Sequence, residues 1–421
     1  WGLFASSIRA GVRGVALDGD AASDYAGYSV GGAGDFNGDG LDDVIVAAPY
    51  ADPGGKSGAG RVYIVFGQSS WGPSGNAVVS LGTLAATGLG VEIAGEFAGG
   101  YLGYSVAGAG DFNADGFADV VLGAYRAPSL TGVSYAGRVR VVLGQPSAGV
   151  IDLSNPSPGV FTVGGDAAYD YLGYSVAGGG DFNRDGFSDV VVGAPYVDTP
   201  GGSNVGAATV VFGRDVAGES VEASKLAPNG QGVVFHGEQP SDYFGRSVAL
   251  GGDFNDDGLA DVAFGADGAD PSGSFSGRAY VAYGADDPAI SSQPVLAVDL
   301  ALGVGGTALD GEIASDRAGR DVAMMGAITG DLGPMLGVGA YRASPNGSSS
   351  GRAYVVLPKL ESYYALNRAP IPLDDTVYAD QGQSLSEPAP GLLANDVDHD
   401  GDSISVVPGQ YVTAEGCVID L

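Results

Sequence analysis

Apolar and polar positions follow a pattern that recurs five times along the chain. Each unit opens on small apolar residues, as in SVAGAGDF, and passes through an Asp/Gly-rich turn into an apolar run such as DVVLGA. A run rich in β-branched and aromatic residues (RVYIVFG) and a looser fourth run (GVEIAGE) follow. No stretch keeps a 3.6-residue period, so the pattern predicts strands rather than helices. The units begin 76, 70, 72 and 74 residues apart, at Gly27, Gly103, Gly173, Gly245 and Gly319.

Four short strands per unit, Gly at the turns and a period near 70 predict an all-β fold, a β-propeller with one blade per unit. A β-sandwich array is the alternative, but its repeats run to roughly 100 residues. The fifth unit supplies only three strands before Pro358, and residues 11–20 (GVRGVALDGD) match the missing fourth. We therefore predict five blades, with the N-terminal strand closing the last blade. Six or seven blades remain open, because a chain that begins at Trp1 is expected to be a processed product or a fragment.

The turn between the first and second strands carries the strongest chemical signal. Four units read D-x-N-x-D-G-x-x-D, with oxygen ligands at positions 1, 3, 5 and 9 and a Gly at position 6, which suits Ca²⁺. Position 7 is expected to offer its backbone carbonyl. A metal-free turn is the alternative, but four copies in register favour four calcium sites. The predicted ligands are Asp35, Asn37, Asp39, Leu41 and Asp43; Asp111, Asn113, Asp115, Phe117 and Asp119; Asp181, Asn183, Asp185, Phe187 and Asp189; and Asp253, Asn255, Asp257, Leu259 and Asp261.

These loops are not helical EF-hands, because position 12 holds an apolar strand residue where an EF-hand has Glu. The fifth unit has lost two carboxylates, so no ion is expected there. Its equivalent positions are Ala327, Thr329, Asp331 and Met335.

Charge narrows the classes of partner. Fifty acidic and 18 basic residues give a formal net charge of −32, which argues against nucleic acid and anionic membranes as partners. No apolar run is long enough for a membrane helix. The single cysteine, Cys417, allows no intrachain disulfide.

No catalytic constellation is visible, so we predict that the chain is not an enzyme. His236, His399 and Cys417 have no nucleophile or base partner in a recognisable motif. Acidic residues recur before each unit and arginines recur at the start of the third strand, which indicates structural roles. These arginines are Arg61, Arg138, Arg278 and Arg352. Tyrosines recur in the loops, where they could pack between blades, stack on sugars or anchor a protein.

The repeats resemble the FG-GAP repeats of integrin α-subunit propellers and their bacterial relatives, over about residues 1–358. The residues that carry this resemblance are Tyr243-Phe244-Gly245, Gly193-Ala194-Pro195 and the D-x-N-x-D-G-x-x-D loops. The resemblance implies structural cations on one face and a ligand on the opposite face. The chain departs from that family in having five units rather than seven, a longer period and a weakened Gly-Ala-Pro.

Residues 359–369 read as a linker, and residues 370–421 resemble the start of a cadherin-like or immunoglobulin-like module, a partial β-sandwich of bacterial surface proteins. The match rests on Asp374-Asp375, the turn GLLAND and an acidic loop. We expect the chain to end inside this module. The acidic loop is a further candidate calcium site, formed by Asp396, Asp398, Asp400 and Asp402.

Together these features predict a calcium-stabilised adhesion propeller, part of a larger secreted or cell-surface protein that we expect to be bacterial. Its partner is predicted to be a protein or a glycan on the propeller face. Two alternatives stay open: a self-assembling subunit of a surface layer or filament, and a polysaccharide-active enzyme on a propeller scaffold.

Overall fold

The computed structural model describes residues 14–70, 76–155, 159–215, 218–286, 294–326 and 333–357, and two short strands near the C-terminus. The chain divides into two compact units, residues 1–358 and residues 359–421. Among the described residues, no helix is both long and apolar enough to cross a membrane.

The first unit is all-β, and each repeat contributes one run of strands. The N-terminal strand is β1 (Gly14–Asp18). Repeat 1 supplies β2 (Ser29–Gly34), β3 (Asp43–Ala48), β4 (Arg61–Val65), β5 (Asn76–Ser80) and β6 (Gly90–Ala94). Repeat 2 supplies β7 (Ser105–Gly110), β8 (Asp119–Ala124), β9 (Arg138–Val142), β10 (Gly149–Asp152) and β11 (Val160–Gly164).

The other repeats follow the same order. Repeat 3 supplies β12 (Ser175–Gly180), β13 (Asp189–Ala194), β14 (Ala207–Val211), β15 (Ser220–Glu222) and β16 (Gly232–His236). Repeat 4 supplies β17 (Ser247–Leu250), β18 (Val262–Ala266), β19 (Arg278–Ala282), β20 (Val295–Leu296) and β21 (Gly306–Asp310). Repeat 5 supplies β22 (Ala318–Met325), β23 (Met335–Ala340) and β24 (Arg352–Val356).

In repeats 1–4, the first, second, third and last strands form an antiparallel sheet, which is one propeller blade. The strand left over in repeats 2, 3 and 4 pairs in parallel with the last strand of the preceding blade: β10 with β6, β15 with β11 and β20 with β16. We call these the linking strands, together with β5, which pairs in parallel with β1. Short helices follow β5, β15 and β20. They are α1 (Leu84–Thr87), α2 (Ala223–Leu226) and α3 (Ala297–Ala301).

These linking strands were not predicted from the sequence, and they account for the long repeat period. They occupy the stretch between the third and last strands of a repeat and connect each blade to its neighbour. The β-propeller class itself is confirmed by the blades and by their repeat order.

The core lies between neighbouring blades. Val120, Val121 and Leu122 of β8 are fully buried, because side chains on both faces of this second strand meet a neighbouring blade. Burial on both faces explains why the second strands are continuously apolar instead of alternating. The first strands hold small residues for a different reason: a Cβ on Gly108 would lie 2.8 Å from the carbonyl oxygen of Gly32, so only glycine permits this approach.

The predicted closure of the ring is not found among the described residues. β1 pairs in parallel with β5, and the last blade contains only β22, β23 and β24. Val30 of β2 is 62% exposed, whereas the equivalent Val106 is 6% exposed against the blade before it. Val355 of β24 is 53% exposed at the other end of the array. The first and last blades therefore do not cover each other, and β24 has no fourth-strand partner in the part of the chain described.

In the second unit, the structure describes an antiparallel pair formed by β25 (Gln410–Val412) and β26 (Val418–Asp420). The predicted linker, the acidic loop from Asp396 to Asp402, His399 and Cys417 lie outside the described residues.

Candidate metal centres and an aromatic surface

The four predicted loops join the first and second strands of their blades and share one hydrogen-bond pattern. In repeat 1, Asp35 accepts from the amides of Asp39 and Gly40 at 2.9 and 2.8 Å. Asn37 donates its side-chain amide to Asp39 at 2.9 Å, and Leu41 donates its N–H to the other oxygen of Asp39 at 2.9 Å. The loops of repeats 2, 3 and 4 repeat these four contacts.

A bulge in the first strand sets the start of the loop. The β2–β3 register shifts between Gly32 and Gly34, and Gly34 has a φ of +66°, which favours glycine. The same shift occurs at Gly110 and Gly180 in repeats 2 and 3. The position 1 aspartate follows directly, so the bulge places its carboxylate over the turn.

The aspartate at position 9 is buried and differs from the others in its contacts. Asp119 accepts from the amide of Phe112 at 2.8 Å and from the amide of Gly144, just after the third strand, at 2.7 Å. It thereby connects the loop to the far side of the blade. The same two contacts are made by Asp43, Asp189 and Asp261.

Burial dominates the electrostatics of position 9. It raises the pKa of Asp43 and Asp261 to about 6 and that of Asp119 and Asp189 to about 7, although the two backbone hydrogen bonds oppose the rise. The loop carboxylates at positions 1 and 5 add a smaller repulsion. A nearby divalent cation would offset both effects.

The donor set of each loop suits Ca²⁺, because it consists of carboxylate and amide oxygens. Within the described residues, none of the twelve loop carboxylates forms an ion pair with Lys or Arg. The carboxylates of a loop do not converge on a single coordination sphere. Among the described residues, no three acidic, His or Cys side chains are close enough together to hold a metal ion. In repeat 5, Met335 opens β23, and Ala327, Thr329 and Asp331 lie outside the described residues.

Neighbouring loops are also connected to each other. Ala118 donates its N–H to the carbonyl of Asp35 at 3.1 Å, and Ser188 and Ala260 make the equivalent contact at 3.1 Å with the loop before theirs. A row of linked loops therefore runs along one edge of the blades.

Tyrosines occupy the opposite edge, before the first strands of repeats 1–4 and after the second strands of repeats 1–3. We call this set the tyrosine surface, and it consists of Tyr25, Tyr28, Tyr50, Tyr101, Tyr104, Tyr125, Tyr171, Tyr174, Tyr196 and Tyr243. Ring contacts pass from blade to blade: Tyr104 lies 5.3 Å from both Tyr28 and Tyr174, measured between ring centroids. These tyrosines therefore do pack between blades. Some of their rings are nevertheless open to solvent, since Tyr25 is 64% exposed and Tyr28 is 46% exposed.

The tyrosine surface also holds strained backbone and cations. Tyr25, Tyr101, Tyr171 and Tyr243 share a φ of 55–56°, in the left-handed region that costs energy for a bulky residue. Arg246 stacks 5.5 Å from the Tyr243 ring centre and forms an ion pair with Asp267 at 3.5 Å.

The recurring arginines at the start of the third strand pair with the acidic residue in the loop before their own blade. Arg138 contacts Glu96 at 3.2 Å and Arg278 contacts Glu238 at 2.7 Å. Arg61 contacts Asp20 at 2.8 Å, and Arg352 pairs with Glu312. These ion pairs support the structural role inferred from their recurrence.

Comparison with known proteins agrees with this arrangement. The FG-GAP repeat family matches residues 26–65, 102–142, 172–211 and 244–282. Each matched segment begins at the edge that carries the tyrosine surface, which we call the tyrosine edge. It then passes through one candidate loop and ends in the third strand. The chain is an integrin-like FG-GAP propeller.

Relatives of this propeller include integrin alpha subunits and phospholipases. Integrin alpha-5 of Xenopus laevis is 31% identical over 254 residues, which cover 60% of this chain and 21% of that protein. Integrin alpha pat-2 of Caenorhabditis elegans is 30% identical over 255 residues, 58% of this chain and 18% of that protein. Phosphatidylinositol-glycan-specific phospholipase D of Rattus norvegicus is 36% identical over 131 residues, 31% of this chain and 15% of that protein. The chain therefore spans at most 21% of the length of these relatives.

One feature of the edge that carries the tyrosine surface was not predicted from the sequence. A cleft opens between the blades of repeats 2 and 3, and His236 of β16 lies on its wall, where burial lowers the pKa of the imidazole. The signal was present in the sequence, because the third strand of repeat 3 begins with Ala207 where the other repeats have Arg.

Proposed function

We propose that this chain is a calcium-stabilised extracellular binding module that acts in adhesion. The observation that carries the proposal is the separation of two chemistries along each blade. Rigid loops rich in carboxylates line one edge, and an exposed aromatic surface lines the other. In this arrangement the ions would fix the loops and the tyrosine surface would meet the ligand.

Calcium is the metal that the donor set supports best. In repeat 2 the ion would be held by Asp111, Asn113, Asp115 and Asp119, with the carbonyl of Phe117, and the other three loops would hold theirs with the equivalent residues. External millimolar Ca²⁺ would fill even weak sites of this kind. Calorimetric titration of the metal-free protein should yield four ions per chain. Replacing Asp111 by Ala should reduce the count to three, and an unchanged count would refute the assignment for that loop.

A protein or glycan ligand on the tyrosine surface is the second part of the proposal. Exposed tyrosines supply large contact area and a hydroxyl for hydrogen bonding, which suits both kinds of ligand. Protein and glycan arrays probed in millimolar Ca²⁺ test this directly. Tyr28→Ala should weaken a hit, whereas Asp42→Asn, an exposed change at the opposite edge, should not. Equal effects of the two variants would place the binding site elsewhere.

Relatives named for phospholipase D share only part of the repeat region with this chain, so we propose a binding role rather than catalysis. Assays with phospholipid and polysaccharide substrates should give no Ca²⁺-dependent turnover above the background of a Tyr28→Ala control.

Self-assembly is a second candidate, supported by the exposed faces of the first and last blades. Between neighbouring blades, the face that carries Val106 packs on the blade before it. Val30 occupies the same position in the first blade but is 62% exposed. The last blade of one copy could cover it in the same manner. Light scattering should then show concentration-dependent oligomers that Val30→Asp abolishes, and a monomer at all concentrations would exclude this candidate.

A further inference from the structure

A cleft of about 770 Å³ lies between the blades of repeats 2 and 3. The loop 165–172 forms one wall, and β14, the loop after β13 and α2 contribute to the others. Carboxylates and aromatic rings alternate on this lining: Asp166, Asp170 and Asp198 with Tyr169, Tyr171 and Tyr196.

The cleft exists because repeat 3 lacks the side chains that fill the equivalent space of repeat 2. Between the blades of repeats 1 and 2, Phe97, Arg138 and Arg140 leave a space of only about 10 Å³. Repeat 3 has Ala207 and Thr209 at the two arginine positions and Ala167 at the phenylalanine position. Three large side chains are thus replaced by small ones in this repeat.

The same replacement leaves the loop carboxylates without a cation. Asp166 corresponds to Glu96, which pairs with Arg138, but here it accepts from the amide and hydroxyl of Ser224 at 2.9 and 2.6 Å. Within the described residues, Asp166, Asp170 and Asp198 form no ion pair. Burial raises the pKa of Asp170 to about 6, and repulsion from Asp166 and Asp198 adds to it. An unneutralised acidic cleft of this kind favours a cationic ligand.

The aromatic walls indicate the shape of that cation. The ring of Tyr171 stands at 79° to that of Tyr169 and at 85° to that of Tyr196, with centroids 6.2 and 5.3 Å apart. Perpendicular rings present faces in two directions, which suits a compact cation better than a planar one, and a cation is attracted to the face of an aromatic ring. An ammonium group fits this description better than a guanidinium.

Tyr169 is the residue that gives this cleft its aromatic rim. Its φ is 72°, and the equivalent residues Ser23, Gly99, Ser241 and Ser315 have a φ of 68–72°, so the left-handed conformation belongs to the loop of every repeat. Repeat 3 differs in placing an aromatic side chain there. Its ring stacks on Tyr135 at 5.3 Å, which holds it at the rim of the cleft.

We propose that this cleft binds an alkylammonium group, which takes the place that an internal arginine fills in the four other repeats. The proposal rests on the binding function proposed above and names the chemistry that this part of the surface recognises. The volume of the cleft exceeds that of an ammonium head group, so part of the molecule that carries this group, the carrier, enters as well. The carrier is either a free amine or a lysine side chain.

Calorimetry or NMR titration of the calcium-loaded chain at fixed ionic strength tests the proposal. Butylammonium, choline and Nα-acetyl-lysine amide are the probes, and butanol is the neutral control. We expect saturable binding of the ammonium probes and none of butanol. Tighter binding of acetyl-lysine amide than of butylammonium would assign the source as lysine, and equal binding would assign a free amine. Equal affinity for butanol and butylammonium, or binding of neither, would overturn the proposal.

Two variants locate the site. Ala207→Arg restores the arginine of the other repeats and should weaken ammonium binding by about tenfold or more, by occupying the cleft and neutralising Asp166. The matched control is Ala114→Arg, which adds the same charge at the opposite edge, in the candidate loop of repeat 2, where Arg184 already occupies the equivalent position of repeat 3. If Ala207→Arg does not fold, Asp170→Asn provides the second test, with a comparable loss expected. Undiminished binding in a folded cleft variant would refute the site.

Failure of this inference can be told apart from failure of the proposed function. A chain that binds four calcium ions and retains its array ligand, but binds no ammonium probe, loses only the inference. A chain that binds neither calcium nor any array ligand loses the proposed function, whatever the ammonium titration shows.

Discussion

The two edges of each blade are built by different kinds of contact. At the edge that carries the four candidate calcium loops, which we call the calcium edge, the side-chain contacts that shape a loop join residues no more than eight positions apart, apart from the position 9 contact to the third strand. One backbone hydrogen bond links each loop to the next. At the tyrosine edge, the decisive contacts join different blades, such as Tyr28 with Tyr104 and Arg278 with Glu238. Four nearly identical loops therefore coexist with an opposite edge that varies from one repeat to the next.

This difference shows where a repeat protein can change without losing its fold. A loop fixed by its own sequence tolerates variation in its neighbours, so it is repeated. A contact between blades depends on two repeats at once, so one substitution such as Ala207 for Arg alters the space between them. Variation at the tyrosine edge can thus produce a ligand cleft while the loops stay the same.

Calcium removal should give the largest effect, because it acts on all four loops at once. A site at 100-fold ligand excess over its dissociation constant contributes about 2.7 kcal/mol, so EDTA should lower the melting temperature by about 10 °C or more. Differential scanning calorimetry in millimolar Ca²⁺ and in EDTA measures this. Identical melting curves would show that calcium does not stabilise these loops.

Asp119→Asn should destabilise the chain by about 2–4 kcal/mol, because it weakens two buried charge-assisted hydrogen bonds to backbone amides. Urea unfolding in excess Ca²⁺ gives the free energy of unfolding. Asp42→Asn, at an exposed neighbouring position, is the control and should change it by less than about 0.5 kcal/mol. Equal losses would show that the buried aspartate has no special role.

Arg278→Ala tests the contacts between blades and should cost about 1–2 kcal/mol, because Glu238 loses its main cation. Arg184→Ala is the control. That exposed arginine lies 3.9 Å from Asp286 and donates to the carbonyl of Asp257 at 3.1 Å, so its loss should cost less than about 0.5 kcal/mol. If the two edges are independent, the loss should be the same in Ca²⁺ and in EDTA. A much larger loss in EDTA would show that the edges are coupled.

Tyr104→Phe should have the smallest effect, about 0.5–1 kcal/mol, because it removes a hydroxyl that hydrogen-bonds to Tyr28 and Tyr174. Thermal unfolding against Tyr25→Phe, at an exposed ring, measures the difference. A loss as large as that of Asp119→Asn would make the tyrosine edge the main source of stability.

Much of the fold could be predicted from the sequence, because the residues that form each strand and turn of a repeat are close together in the chain. The apolar run of β8, the glycines of β7 and the Asp-rich turn between them are adjacent in the chain, and they fold as expected. The prediction that the N-terminal strand closes the last blade is not met among the described residues. β1 pairs with β5, as the last strand of a blade pairs with the linking strand of the next repeat, but it does not pair with β24. The β1–β5 pairing joins segments about 60 residues apart, so no local pattern marks it.

The candidate site divides in the same way. Spacing predicted the candidate calcium ligands residue by residue, and both the ligand set and the calcium assignment stay predictions. The cleft required knowledge of which blades meet, because Ala167, Ala207 and Ser224 come from separate strands and loops.

By itself, the sequence determined the repeat, the blade order and the loops, because these depend on residues within one blade. The tertiary structure alone decided how the blades are linked, which tyrosines stay exposed and where a cleft opens. Those features depend on the packing of one repeat against the next. There, the effect of a side chain's size depends on the residues of the neighbouring repeat that it contacts.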